Sequence, residues 1–145
     1  MSSKPSTIAQ ASCVAIDGRA LMIEGEPGSG KSSLTLALID RGAQLIGDDG
    51  VTLQREGDAI VARPPPNIAG LLEVRGVGLV ELPLAPPTPL ALILQLDGAG
   101  ERLPERLPTR DILGVELPVL AFEPGTIAPA ERAEWALRVH GIGSA

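Results

Sequence analysis

The segment from Gly25 to Ser32 constrains the fold of this chain more than any other feature of its sequence. It matches the phosphate-binding pattern G-x-x-x-x-G-K-[S/T] at every fixed position. The glycines let the backbone turn so that successive N–H groups converge on one phosphate, and a helix that follows adds the positive end of its dipole. Residues predicted to form this loop are Gly25, Glu26, Pro27, Gly28, Ser29, Gly30, Lys31 and Ser32, of which Glu26 and Pro27 occupy variable positions.

The sequence around the loop supplies the strand and the helix that such a loop requires. Two short apolar runs, 13–16 and 20–23, flank Asp17-Gly18, which predicts a hairpin that leads into the loop. After the loop, apolar residues recur at helical spacing from Lys31 to Arg41, and Gly42 is a natural end for that helix. A strand–loop–helix unit is therefore expected.

Charged and hydroxyl side chains near the loop indicate its chemistry. Lys31 supplies a positive charge to the outer phosphates, and the Ser32 hydroxyl is a potential Mg²⁺ ligand. Asp48 and Asp49 follow a short apolar segment, 44–47, predicted to be a strand. One carboxylate could hold Mg²⁺ and the other could accept a proton from an attacking hydroxyl, as phosphoryl transfer requires. Asp-Asp-Gly is also favourable turn chemistry, so a purely structural role remains an alternative.

The rest of the chain predicts a small, strand-rich α/β domain with one helix after the loop and a second helix at the end. We assign a flexible segment to residues 1–7 and a single domain to residues 8–145. Three consecutive prolines place 64–67 in a loop. Predicted strands cover 51–53, 59–62, 71–81 (irregular), 90–96 and 119–122, and the last helix covers Pro129–His140.

Composition narrows the classes of function. The net charge is −6 and no basic stripe is present, which argues against a nucleic-acid partner. The single cysteine, Cys13, excludes an intrachain disulfide and is expected to be a core residue of a cytoplasmic protein without a membrane span. His140 is expected to be structural, at the end of the last helix. Trp135 is predicted to anchor that helix by packing.

The order of motifs resembles the catalytic domain of HPr kinase/phosphorylase over roughly residues 8–125. The hairpin, the phosphate loop, Arg41-Gly42 and Asp48-Asp49 are followed by Leu-Glu-Val-Arg-Gly-Val-Gly at 72–78. The resemblance implies a core of the phosphoenolpyruvate carboxykinase type. It also implies an ATP- and Mg²⁺-dependent kinase that phosphorylates a serine of the phosphocarrier protein HPr, in regulation of carbon metabolism and the phosphotransferase system. Removal of that phosphate by phosphorolysis and a homo-hexameric assembly are implied as well.

The same resemblance implies roles for individual residues. Lys31 and Ser32 would contact phosphate and Mg²⁺, Asp49 would be the general base towards the substrate serine, and Glu73 would be a second Mg²⁺ ligand. Asp48 is a further candidate ligand. Arg102 is the best match to an arginine near the transferred phosphoryl group, although Arg106 has a similar sequence context.

Two departures from the family pattern bear on activity. Gln10 occupies the position of a family histidine, and glutamine can neither titrate nor carry a positive charge. A late family loop, Pro-Val-x-Pro-Gly-Arg, corresponds here to 121–126, where Thr126 replaces the arginine and Glu123 adds an acid. We therefore expect an altered site with weaker phosphorylase than kinase activity. A non-catalytic ATP-binding regulator and a small-molecule kinase on the same scaffold are the alternatives.

Overall fold

A computed structural model describes residues 4–66, 70–97 and 100–143 of the 145-residue chain. Within these ranges the helices are α1 (Lys31–Asp40) and α2 (Pro129–His140). The strands are β1 (Ser6–Ala9), β2 (Ser12–Ile16), β3 (Arg19–Glu24), β4 (Gln44–Gly47), β5 (Val51–Glu56), β6 (Ala59–Arg63), β7 (Leu71–Val74), β8 (Gly78–Glu81), β9 (Thr88–Gln95), β10 (Thr109–Ile112) and β11 (Val115–Ala121). No helix in the described ranges is long and apolar enough to cross a membrane.

Most strands belong to one mixed sheet with the order β1-β5-β6-β9-β3-β2-β4. The central strands β3 and β9 are parallel, and β11 adds to β9 in parallel before pairing with β10. All other pairs in this sheet are antiparallel. The carboxyl ends of β3, β9 and β11 therefore meet at one edge of the sheet, which is where α/β folds bind ligands. The phosphate loop leaves β3 at this edge.

The β2–β3 hairpin follows directly from its turn residues. Asp17 and Gly18 both have positive φ, 50° and 81°, as a two-residue hairpin turn requires. Ile16 pairs with Arg19, and the register continues to Ser12 opposite Ile23. The hairpin predicted from the apolar runs is confirmed, and it delivers β3 to the phosphate loop.

Both helices pack against the same face of the sheet. Leu34 and Leu38 of α1 lie in one apolar cluster with Leu137 of α2 and with residues of β3 and β9. A second cluster covers the opposite face and contains residues of β5, β6, β10 and β11. Arg41, which follows α1, also makes three hydrogen bonds of 2.9–3.1 Å to the Glu134 carboxylate of α2. The helix that carries the loop is thereby held between the sheet and α2.

Several predicted elements match the structure in type and place. Strand β4 and helix α2 have the predicted bounds, and strands were expected where β5, β6 and β9 lie. Helix α1 ends at Asp40, two residues before Gly42, whose φ is 110°. The predicted loop at 64–67 is seen for 64–66, and Asn67 lies outside the described residues. The predicted strand-rich α/β class with a helix after the loop and a helix at the end is confirmed.

Other predictions are corrected by the structure. The segment 71–81 is not one irregular strand but a hairpin, β7–β8, which forms its own two-stranded sheet. The segment before 119 contains β10, and β11 begins at Val115. Ser6 and Thr7, assigned to a flexible end, pair with Gln54 and Leu53 in β1. Each error has the same physical reason: these pairings depend on partners elsewhere in the chain, which periodicity within the segment does not reveal.

The predicted packing role of Trp135 is also wrong. Trp135 is 60 % exposed on α2, with the Arg138 guanidinium 4.8 Å from its ring centroid. The buried positions of α2 are instead taken by small residues and one leucine: Ala130, Ala133, Ala136 and Leu137. Small side chains let α2 lie close to the sheet, so the large indole is not needed for packing.

Candidate active site

The phosphate loop has the backbone geometry of an anion cradle. Gly28 and Gly30 have φ values of 86° and 102°, a region that favours glycine. Gly30 is the N-cap of α1, no side chain caps the helix, and its first turn carries no acidic residue. The first N–H groups of α1 are therefore available to an anion, with the helix dipole favouring negative charge.

The interior of the loop is crowded and polar. A Cβ added to Gly25 would lie 2.5 Å from the Ser29 hydroxyl oxygen, so a side chain at that position would displace this hydroxyl. The Ser29 hydroxyl is itself buried and has no hydrogen-bond partner among the described residues. A buried hydroxyl without a partner is costly unless a ligand satisfies it. The loop therefore fits the phosphates of a nucleotide.

The lysine and the serine that end the phosphate loop lie next to Asp48 and Asp49. The Lys31 ammonium lies 3.8 Å from Asp49 Oδ1, and the Ser32 hydroxyl donates to Asp48 Oδ1 at 3.1 Å. Asp49 has φ 57°, unusual for a residue other than glycine, and its side chain is 79 % exposed. Aspartate and asparagine tolerate this left-handed conformation better than other residues with a side chain. The structure thus joins four of the predicted residues on one side of the loop.

Two further segments converge on Asp48. The Ser12 hydroxyl on β2 donates to Asp48 Oδ1 at 3.0 Å, and the backbone N–H of Glu73 on β7 donates to Asp48 Oδ2 at 3.2 Å. Asp48 therefore accepts three hydrogen bonds, which restrict its carboxylate to one orientation. The Glu73 side chain is exposed, and its backbone N–H helps to orient Asp48.

Ser12 is a residue that the sequence analysis missed. It is fully buried, and its oxygen also lies 3.5 Å from the backbone nitrogen of Asp49. The sequence hints at a role for Ser12 only by placing a hydroxyl residue in an otherwise apolar strand, and this alone is weak evidence for a functional residue. Its role becomes visible only because β2 pairs with β4 and brings Ser12 next to the aspartates.

The donor set suits Mg²⁺ bound together with a nucleotide. No group of three His, Cys, Asp or Glu side chains that could hold a metal occurs in the described parts of the chain. Mg²⁺ usually keeps several waters and is bound through one or two carboxylates plus phosphate oxygens. The Ser32 hydroxyl and Asp48 are adjacent and match that requirement, with Glu73 nearby.

Gln10 and Arg102 lie apart from this group. Gln10 is exposed in the bend between β1 and β2, two residues before Ser12. Arg102 is exposed and lines a cavity of about 480 Å³ beside α2, with Phe122 and Trp135. Within the described ranges neither side chain makes a hydrogen bond or ion pair with the loop or the aspartates, so their predicted roles stay predictions.

The loop that follows β11 lies against the phosphate loop. A Cβ on Gly30 would be 3.7 Å from the side-chain atom Pro124 Cγ, an ordinary van der Waals separation, so the Pro124 ring is a neighbour of the phosphate loop. Arg132 of α2 donates to the carbonyl oxygens of Glu123 and Pro124, and its guanidinium lies 4.8 Å from the Phe122 ring centroid. This arginine fixes the position of the loop segment that departs from the family pattern.

The strand–loop–helix unit and the grouped lysine, serine and aspartates define an α/β domain with a phosphate-binding loop of the kinase type. Residues 3–85 match the family described as HPr Serine kinase C-terminal domain, so the chain belongs to that family. The matched range contains every predicted site residue except Arg102.

Known proteins similar to this chain carry related names. It is 39 % identical over 112 residues to a protein named HPr kinase/phosphorylase from Burkholderia cenocepacia strain HI2424, and equally to one from Paraburkholderia phymatum. These alignments cover 69 % of this chain and 35 % of each relative, so the chain spans about a third of their length. It also superimposes with a TM-score of 0.81 on the structure of the Hpr(Ser) kinase/phosphatase from Coxiella burnetii, at 27 % identity, covering 92 % of this chain and 95 % of that one.

Proposed function

We propose that this protein is an ATP- and Mg²⁺-dependent kinase that phosphorylates a serine of an HPr-type phosphocarrier protein. The observation that carries the proposal is the grouping of Lys31, Ser32, Asp48 and Asp49 at the start of α1, with separations of 3.1 and 3.8 Å. The names of the relatives support HPr as the substrate. Cytoplasmic location and a homo-hexameric assembly belong to the same proposal, and sedimentation of the purified chain tests the assembly.

Each residue of the group has a separate task in the proposed reaction. Lys31 and the N–H groups of the loop would neutralise the outer phosphates. Mg²⁺, held by the Ser32 hydroxyl and Asp48, would supply further positive charge. Asp49 would accept the proton of the incoming serine hydroxyl, and its exposure suits a serine presented on the surface of another protein. Asp48, fixed by three donors, would not need to reorient during the reaction.

The departures from the family pattern favour the forward reaction in this proposal. Gln10 carries no charge, and Thr126 replaces an arginine next to the loop that Arg132 holds in place. Fewer positive charges near the site would weaken binding of free phosphate, which the reverse reaction uses as substrate. We therefore propose that phosphorylase activity is slower than kinase activity. Phosphate-driven removal at a rate equal to the forward reaction would disprove this part.

The experiment is transfer of labelled phosphate from ATP to purified HPr of the same organism in the presence of Mg²⁺. It compares the unchanged chain with Gln10→His and with Asp49→Asn, which keeps the size and the left-handed backbone tolerance of aspartate. We expect labelling by the unchanged chain and at least a hundredfold slower labelling by Asp49→Asn.

Other outcomes point to the alternatives. Labelling only by Gln10→His would mean that the site is disabled at position 10. ATP binding without transfer to HPr by either form would reject HPr as substrate and favour a regulator. Transfer to small hydroxyl compounds without HPr would favour a small-molecule kinase.

A further inference from the structure

The residue immediately before the phosphate loop is an acid. Glu24 is the last residue of β3, and Gly25, the first residue of the loop, follows it directly. From the dimensions of the chain, the Glu24 carboxylate lies on the order of 10 Å from an anion held by the loop, which is about one Debye length in dilute salt. A carboxylate at that distance opposes the binding of phosphates unless its charge is neutralised.

An arginine from a distant strand neutralises this carboxylate. Arg110 on β10 donates from both terminal guanidinium nitrogens to the two carboxylate oxygens of Glu24, with one bond of 2.7 Å. Gln95, at the end of β9, also donates to Glu24 Oε1, at 3.3 Å. The hydrogen bonds from Arg110 to Glu24 raise the pKa of the guanidinium above its usual value. Glu24 is therefore held by a bidentate ion pair, the most specific arrangement that these two groups can form.

The ion pair lies on the face of the sheet opposite the helices. Met22 belongs to the apolar cluster on that face, and Ile23 belongs to the cluster that contains the helices. Side chains alternate along a strand, so Glu24 shares the face of Met22. Helix α1 continues the phosphate loop on one face of the sheet, and the pair with Arg110 holds the residue before the loop on the other face.

We propose that Arg110 is a positioning residue for the phosphate loop, which neutralises the Glu24 carboxylate and restricts it to one orientation so that the loop can accept phosphates. Arg110 acts through Glu24 and does not itself contact the phosphates. This inference rests on the proposed function, because it requires a ligand with phosphate groups in the loop.

The charge of Glu24 distinguishes this role from two others. If Arg110 only stabilised the fold, its loss would have the same effect as the loss of a similar ion pair elsewhere. If Arg110 contacted the phosphates directly, removal of the Glu24 charge would not compensate for the loss of the arginine. Compensation at Glu24 is expected only if the arginine acts by neutralising that carboxylate.

The test measures binding of inorganic tripolyphosphate and of ATP, each with Mg²⁺, by calorimetry. The variants are Arg110→Met, Glu24→Gln and the double variant, and circular dichroism verifies that each is folded. We expect Arg110→Met to bind both compounds about tenfold more weakly, because an unpaired carboxylate faces the phosphates. The double variant should bind them within about threefold of the unchanged chain. Glu24→Gln alone should bind them more tightly, by about threefold or more, because the guanidinium charge is then unpaired.

The matched control is Arg41→Met, which breaks another bidentate pair. Arg41 donates from two guanidinium nitrogens to the Glu134 carboxylate, and it follows the far end of α1 from the loop. The control changes the net charge by the same amount as Arg110→Met. We expect its affinity for both compounds to stay within about twofold of the unchanged chain, since α1 spans about 15 Å between the two positions.

The outcomes separate this inference from the proposed function. Weaker binding by Arg110→Met that the double variant does not restore would overturn the inference, and so would an equal loss in Arg41→Met. If Arg110→Met did not fold, Glu24→Gln alone would decide, and an unchanged or weaker affinity in that variant would refute the role of Arg110. Failure of the unchanged chain to bind either compound would reject the proposed function together with the inference.

Discussion

The hydrogen bond from Ser12 to Asp48 offers a sharp test of how the site is held. Ser12 is fully buried and its hydroxyl donates to Asp48 Oδ1 at 3.0 Å. A hydrogen bond to a charged group contributes about 1.5–3 kcal/mol. Asp48 keeps two other donors, Ser32 and the Glu73 N–H, so Ser12→Ala should cost about 1.5 kcal/mol, at the lower end of that range.

Ser12→Ala is expected to affect catalysis as well as folding. With one donor lost, the Asp48 carboxylate gains freedom to rotate away from the Ser32 hydroxyl. Loss of a group that orients a metal ligand typically lowers activity or metal affinity about 10- to 100-fold. We therefore expect an about 10- to 100-fold lower kcat in transfer from ATP. We also expect the affinity for Mg²⁺ to fall by a similar factor, so that a higher Mg²⁺ concentration is needed for half-maximal activity.

The assays are urea unfolding followed by circular dichroism, and phosphate transfer titrated with Mg²⁺. Ser12→Cys keeps a side chain of similar size but a much weaker donor, so it should resemble Ser12→Ala. Ser6→Ala removes an exposed hydroxyl and serves as the control. If Ser12→Ala kept the stability within about 0.5 kcal/mol and the transfer rate of the unchanged chain, the hydrogen bond would not hold Asp48 in place.

Further predictions concern charge, burial and fluorescence. Asp49→Asn should fold as stably as the unchanged chain, since asparagine tolerates φ 57°, and thermal unfolding checks this; a marked loss of stability would indicate a structural role for the carboxylate. Burial raises the pKa of the Cys13 thiol far above its usual range, so a thiol reagent should react only as the chain unfolds, and fast labelling of the native protein would contradict the buried position. The hydrogen bond from Lys4 lowers the pKa of Glu56, so this ion pair stabilises the protein at neutral pH and should lose its stabilising effect as the pH falls below 4.5, the ordinary pKa of a glutamate. The melting temperature of Lys4→Met should therefore fall less over that pH interval than the melting temperature of the unchanged chain. An equal fall would exclude the pair as the cause. Trp135, the only tryptophan, is exposed, so its emission wavelength should change little on urea unfolding, and a large red shift would show that it is buried in solution.

Local features of the sequence were sufficient to predict the phosphate loop and the strand, helix and turn next to it. The glycines of Gly25–Ser32, the helical spacing after Lys31 and the Asp17-Gly18 turn each act over a few residues, and each was found where expected. The same holds for β4, which places Asp48 and Asp49 beside the loop. Family resemblance then assigned roles to these residues, which geometry alone would not distinguish.

Contacts between distant segments were decided only by the tertiary structure. Ser12 meets Asp48 across 36 positions and Glu73 meets it across 25, because strand pairing and the β7–β8 hairpin bring them together. Pro124 reaches Gly30 through the order β3-β9-β11. Sheet order and register are set by the burial of whole faces, a property of the complete chain, and so the orientation of Asp48 and the position of Pro124 beside the loop could not be obtained from residue spacing.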